Sequence, residues 1–480
     1  RRPASGHLLP ATVAWEGSSK CVHGVPLWSM PALTLARKAK HAGESCAAQG
    51  ALQQEITLPA AFWMFTPMTQ HLPDHFWSSL ALFLLPALSL AVPSGYSYGP
   101  ALLILASLFS VRVWWGKWAL PKEVWWMYGS FALLALCWLI DNWISGDGSS
   151  AFEKPAKMLI TLPCLLYLAQ RPPQARWLWH GVVVGALGAL MVGGWQILSG
   201  HPSWSNGHRI TGFNNAIQFG NLALLLGLLS LCGWNAASTR RLLWRSWLSV
   251  GFAAGLLASL LSGSRGGWLS LVLLAGMAFL YLLASGHWRA IVALVILGTV
   301  GLWAALQLPQ LHLQERIALA QHQVHVYREH GNAATSVGAR LQMWQFGWSL
   351  YRERPILGWS QQGYMEQKRL AMDAKRLDPY QAEFNHPHNE ILDAASKRGT
   401  VGLLILLLAY ASPLFLFAGI FRSTANRQLR ALGLAGMVVP IAYIGFGLTQ
   451  AFLPHNNGIT MYVYVLCLIW AAAWGWSKRQ

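Results

Sequence analysis

The feature that most constrains this chain is a succession of apolar runs, each near the length needed to cross a bilayer. A spanning helix needs about 20 predominantly apolar residues, and in lipid only helices and closed barrels satisfy every backbone polar group. Runs of this kind occupy residues 76–93, 98–116, 124–145, 156–170, 177–199, 212–234, 243–263, 267–285, 289–308, 400–421, 430–452 and 459–476. The fourth is short, and suits a tilted or re-entrant helix as well as a full crossing. The expected fold is therefore all-α, a polytopic integral membrane protein of about twelve transmembrane helices. Composition agrees: 54% of the 480 residues are hydrophobic and 11% are charged, where soluble domains carry about 25% charged residues.

The formal net charge of +18 would suit a nucleic-acid binder. Here, however, the Lys and Arg residues lie between the apolar runs and not in one patch, which excludes a nucleic-acid partner and points to membrane lipids. The cysteines, Cys21, Cys46, Cys137, Cys164, Cys232 and Cys467, are scattered without a CxxC pair. Neither a disulfide framework nor a zinc site is expected. One alternating set of connections carries Lys117 and Lys122, Arg171 and Arg176, Arg240, Arg241 and Arg245, Arg289, Arg422 and Arg427, then Lys478 and Arg479. The other set is poorer in positive charge. By the positive-inside rule both termini are cytoplasmic, and the long 309–398 segment lies outside, in the periplasm of a Gram-negative cell.

The expected organisation is a polar, basic leader over 1–70, helices 1–9 over 71–308, a helical loop over 309–398 and helices 10–12 over 399–480. The leader reads as disordered or non-native, because Met64 and Met68 stand directly before the first apolar run. Within the loop, Leu341, Trp344 and Trp348 share one face of an amphipathic helix that Pro355 and Gly358 stop.

Three outer arginines run against the positive-inside rule: Arg209 in "NGHRITGFNN", Arg265 in "SGSRGGW", and Arg340 at the head of the amphipathic helix. Guanidinium near a bilayer is costly and tends to pair or mark a substrate path. Snorkelling to headgroups is the bland explanation; three on one face point to an anionic ligand gripped bidentately. The stretch "FNHPHNEILDAASKRGTVG" is the other concentration of polar groups. Pro387 opposes helix at His386, so a helix should start near His388 or Asn389, with Asn389 as its N-cap. The positive end of that helix would hold a nearby imidazole neutral and attract an anion. The pair His386 and His388 could also be structural, solvated, or part of a metal site with Glu383, Glu390 or Asp393. Gly399 and Gly402, one turn apart, end the amphipathic piece and permit tight packing where the next span begins.

His388-Asn389, nine intervening residues, then Gly399-Thr400-Val401-Gly402 resembles the pattern of the O-antigen ligase and polymerase superfamily. "RITGFNNAIQFGN", "SGSRGGWLSL" and "ARLQMWQFGWSLYRERPILGWS" look like that family's other landmarks in the expected order, over roughly residues 75–475. The resemblance implies a GT-C-like glycosyltransferase of the bacterial inner membrane, acting at the periplasmic face. Its donor would be an undecaprenyl-diphosphate-linked glycan and, in ligases, its acceptor lipid A–core oligosaccharide. Carried over, Arg265 and Arg340 would bind the diphosphate, with Arg209 a weaker member, and His388 would act on the acceptor hydroxyl. His386, Asn389, Gly399 and Gly402 would support it. His386 departs from the pattern as a second histidine and leaves the choice of working imidazole open. The sequence offers no P-loop and no DxD-type dyad in the outer segments, so no cofactor or metal is expected. A polymerase or a protein O-oligosaccharyltransferase of the same superfamily is the nearer alternative. A polysaccharide transporter or flippase is the more distant one, and would place ionisable groups at mid-membrane.

Overall fold

The computed structural model describes residues 74–479 except 206–207, 237–239, 265, 308–312 and 332. The chain divides into units 1–70 and 71–480. The leader expected over 1–70 lies outside the described residues. All regular elements among the described residues are helical. First come α1 (Phe76–Leu88), α2 (Tyr98–Phe109), the single turn α3 (Val111–Trp114) and α4 (Lys122–Ser145). A 3-10 turn at Ser149–Phe152 leads into α5 (Glu153–Leu159) and α6 (Thr161–Gln170). Then follow α7 (Ala175–Leu198), α8 (Pro202–Ser205), α9 (Ala216–Cys232), α10 (Arg241–Leu261), α11 (Gly266–Ala284) and α12 (Trp288–Gln307). The polar segment holds α13 (Leu313–His330), α14 (Ser336–Glu353) and α15 (Ser360–Asp373), and the chain closes with α16 (Glu390–Arg422), α17 (Arg427–Gly447) and α18 (Asn456–Ser477).

Seven of these, α4, α7, α10, α11, α16, α17 and α18, are long and apolar enough to cross a bilayer, and four further apolar helices are shorter. The expected fourth span is broken at Ile160 into α5 and α6. These helices make a polytopic membrane protein.

The core sits around α18. A helix that is apolar on all sides belongs in an interior, and every residue of α18 from Asn457 to Ala473 is buried. It packs against α1, α5, α6, α7 and α17. Two tyrosines inside this core find acceptors for their buried hydroxyls, whereas Tyr464 Oη, also buried, has no hydrogen-bond partner among the described residues. Tyr462 donates to the Ala409 carbonyl and Tyr443 to that of Gly458, both at 2.8 Å. At the periphery, α12 packs on α11 and α13 and leaves Trp288, Val292, Ile296, Leu297 and Val300 exposed, a surface suited to lipid.

The polar segment is fastened to this bundle by backbone contact. Gly399 interrupts α16 with φ 63° and ψ −161°, and Gly358 also has positive φ, 69°. A Cβ at Gly399 would stand 2.2 Å from the Ile356 carbonyl oxygen, and one at Gly358 would stand 2.5 Å from Arg398 N. The two glycines therefore allow the turn after α14 to lie directly on the break in α16. Thr400 N donates to Pro355 O at 2.7 Å, Val401 N to Ile356 O at 3.2 Å, and Trp359 N to Ser396 O at 3.1 Å. This seam fixes α14 and α15 against the piece of α16 that begins at the histidines.

Candidate functional site

The site is built at the entry to α16. His388 adopts φ 50°, a left-handed conformation that costs a non-glycine residue about 1–2 kcal/mol. Local bonds hold it there. The His388 backbone N–H donates to His386 Nδ1 at 3.1 Å, and Asn389 Oδ1 accepts from Leu392 N at 3.1 Å as the N-cap of α16. The two imidazoles meet edge to face, with centroids 4.5 Å apart.

Gln450, in the loop between α17 and α18, joins three rings. His388 Nδ1 is hydrogen-bonded to Gln450 Oε1. The amide nitrogen lies 3.0 Å from His455 Nε2 and 3.3 Å from His386 Nε2. In this orientation of the amide, Oε1 accepts from His388 Nδ1–H, which leaves the lone pair of a neutral His388 on Nε2. Burial lowers the His388 pKa to about 4; the Gln450 bond opposes that shift, and the charges of Arg340 and Lys368 reinforce it. Burial likewise brings His386 to about 3 and His455 to about 4. All three rings are neutral at pH 7.

Buried ions position the surrounding backbone. Lys368 of α15 is 3% exposed and donates to the carbonyls of Gln381 and Phe384, clamping the strand of chain that leads to His386. Burial lowers its pKa to about 8. Lys397 pairs with Asp393 and donates to Asn385 O at 3.1 Å. Arg398 pairs with Asp141 of α4 at 2.7 Å, and Asp141 also accepts from Gln361 N at 2.9 Å. Glu390 accepts from Leu453 N at 2.9 Å, Tyr410 Oη at 3.0 Å and Phe452 N at 3.2 Å, which ties α16 to the Gln450 loop.

A cavity of about 510 Å³ opens beside the cluster, within the size range of ligand pockets. His386, His455, Lys154, Lys397 and Arg398 are among its lining residues. No group of three His, Cys, Asp or Glu side chains among the described residues could hold a metal ion. Of the carboxylates that a metal reading would use, Glu390 and Asp393 are engaged as above and Glu383 is exposed.

The residues singled out in the sequence lie on several elements. Arg340 lies in the first turns of α14, where its Nη1 donates to Ser336 Oγ at 3.0 Å, and its charge reaches His388. Arg209 Nε donates to Ser262 O at 2.8 Å, so it engages the turn after α10. Arg265 lies outside the described residues. Its neighbour Gly266 is described, and a Cβ there would stand 2.1 Å from Thr449 Oγ1. The start of α11 thus rests on the loop that carries Gln450. Gly402 faces Arg398, whose Cβ would be 2.3 Å from an added Cβ. Gln450, His455, Lys368 and Asp141 were not singled out. Asp141 carried a usable signal, as an ionisable residue in the apolar run "CWLIDNW".

Comparison with known proteins bears on this arrangement. Residues 250–407 match a family model described as O-antigen ligase, a stretch that holds residue 265, Arg340 and the His388 to Gly402 motif but ends before Gln450 and His455. A protein of Haemophilus influenzae described as uncharacterized is 28% identical over 389 residues, covering 79% of this chain and 94% of that protein. A protein of Escherichia coli K12 described as O-antigen ligase is 29% identical over 143 residues, covering 29% of this chain and 31% of that protein.

Proposed function

We propose that this chain, similar over residues 250–407 to the O-antigen ligase family, transfers a glycan from undecaprenyl diphosphate to lipid A–core oligosaccharide at the periplasmic face of the inner membrane. The observation that carries the reading is His388, a half-buried neutral imidazole oriented through Nδ1 by Gln450 and lying in the field of Arg340. The acceptor enters through the cavity beside His386 and His455. His388 Nε2 takes the proton of the acceptor hydroxyl as general base. The hydroxyl oxygen forms the new bond to the anomeric carbon of the donor. The bond from that carbon to the diphosphate oxygen breaks, and its electron pair leaves with the diphosphate. Arg340 and Arg265, with Arg209 in support, neutralise charge growing on that leaving group, the task a divalent metal performs elsewhere. Direct displacement inverts the anomeric centre.

The test is a reconstituted transfer with undecaprenyl-diphosphate glycan and lipid A–core as the two substrates, run with and without EDTA. Glycan joined to lipid A–core with inverted anomeric configuration, at a rate insensitive to EDTA, is expected. Growth of glycan on undecaprenyl diphosphate in place of transfer to lipid A–core would assign the chain to polymerisation. Retained configuration would remove the single displacement.

A further inference from the structure

We propose that a second anion site, for the headgroup of an anionic phospholipid, lies at the end of the bundle opposite His388, in the cavity between the starts of α10 and α17. That cavity measures about 520 Å³, and Arg241, Arg245, Arg427 and Arg430 line it. No carboxylate is among the described residues that line it. The sequence has no Asp or Glu between Glu153 and Glu315, and none after Asp393.

Two of these guanidiniums have neutral partners that orient them without neutralising them. Arg245 Nη2 donates to Asn235 Oδ1 at 3.0 Å, and its Nε is buried without a hydrogen-bond partner among the described residues. Arg430 Nη2 donates to Tyr281 Oη at 3.0 Å, and its guanidinium lies over the Phe421 ring. Helix dipoles do not compensate the charge. Each helix end carries about half an elementary charge. The N-termini of α10 and α17 are therefore offset by the C-termini of α9 and α16, and the positive charge of the lining remains. A bound anion would neutralise that charge.

Position selects a lipid as the source of the anion. Both α10 and α17 have 21 residues, or about 30 Å at 1.5 Å per residue, which matches the hydrocarbon core. Their far ends carry the turn under Arg209 and the Gln450 loop, so the arginine cavity sits at headgroup depth on the other side. Leu242 and Leu243, in the same first turn of α10, are 79% and 67% exposed and offer acyl-chain contact. Guanidinium binds phosphate oxygens bidentately, and basic pockets between helices suit phospholipid headgroups. Four arginines fit a lipid with two phosphodiesters.

The test is native mass spectrometry of the full-length chain, purified in detergent and stripped of lipid, after titration with cardiolipin, phosphatidylethanolamine or inorganic pyrophosphate. Cardiolipin should bind at least tenfold more tightly than phosphatidylethanolamine, and Arg427→Gln with Arg430→Gln should remove most of that preference. Equal retention of cardiolipin by the double variant, or no preference over phosphatidylethanolamine, overturns the proposal. Pyrophosphate binding more tightly than cardiolipin would make this a soluble-phosphate site and overturn the lipid assignment. If the double variant does not fold, Arg245→Gln and the salt dependence of cardiolipin binding to the wild type decide. Binding unaffected by both is the contrary result.

Discussion

At the scale of single residues, the surroundings of His388 suit it to the proposed role of base. Its ring stays neutral because burial disfavours the imidazolium and neighbouring cations repel it. The pH dependence follows. With the three histidines at about 4, 3 and 4 in the fold and near 6.5 unfolded, the unfolded chain binds more protons between those values. Stability contributed by these neutral rings is present above pH 6.5 and is lost as pH falls toward about 4. The transfer rate at pH 5.5 should therefore stay within about twofold of that at pH 7.5, since the base remains unprotonated. An acid limb centred near pH 6.5 in kcat/KM would show an ordinary, solvated histidine. Gln450→Ala should lower kcat by about tenfold or more without changing the folded state, because the amide sets which nitrogen of His388 holds the proton. The start of α16 just after His388, with Asn389 as its N-cap, was legible in the sequence because turn chemistry is local. Gln450 lies 62 positions from His388, and no local pattern links them.

At the scale of elements, the glycine motif acts through packing. Its role as a breakpoint could be read from Gly399 and Gly402, whereas its partner, Gly358, could not, since only the folded chain puts the two backbones in contact. Gly399→Ala combines a left-handed φ with a Cβ 2.2 Å from a carbonyl oxygen, and should cost about 2 kcal/mol or more. Thermal unfolding followed by tryptophan fluorescence would register it, and combination with Gly358→Ala should be less than additive because both act on one seam. The ion pair between Arg398 and Asp141 joins α16 to α4 in the same region. Asp141→Ala leaves a largely buried guanidinium without its carboxylate and should destabilise by about 3 kcal/mol. A loss under about 0.5 kcal/mol would mean that solvent already reaches the pair.

At the scale of the whole molecule, hydropathy located the helices because apolar length is a property of each segment alone. It did not identify α18 as the enclosed helix, since α18 and the peripheral α12 are both apolar runs of similar length. Which is surrounded depends on packing between distant segments. The proposed orientation makes a separate prediction: a reporter fused after Gln480 should be active only when cytoplasmic reporters are, and an engineered cysteine in the 454–456 loop should react with impermeant reagents added from outside. The two proposals assign distinct roles to the ends of the bundle, glycan transfer at the histidines and lipid contact at the arginines.

The most direct measurement is the rate of glycan transfer by purified wild type and His388→Ala from the same undecaprenyl-diphosphate donor to the same acceptor. The account predicts a loss of at least about 100-fold, with donor binding and unfolding temperature close to wild type. Transfer by His388→Ala within a few-fold of wild type would contradict it.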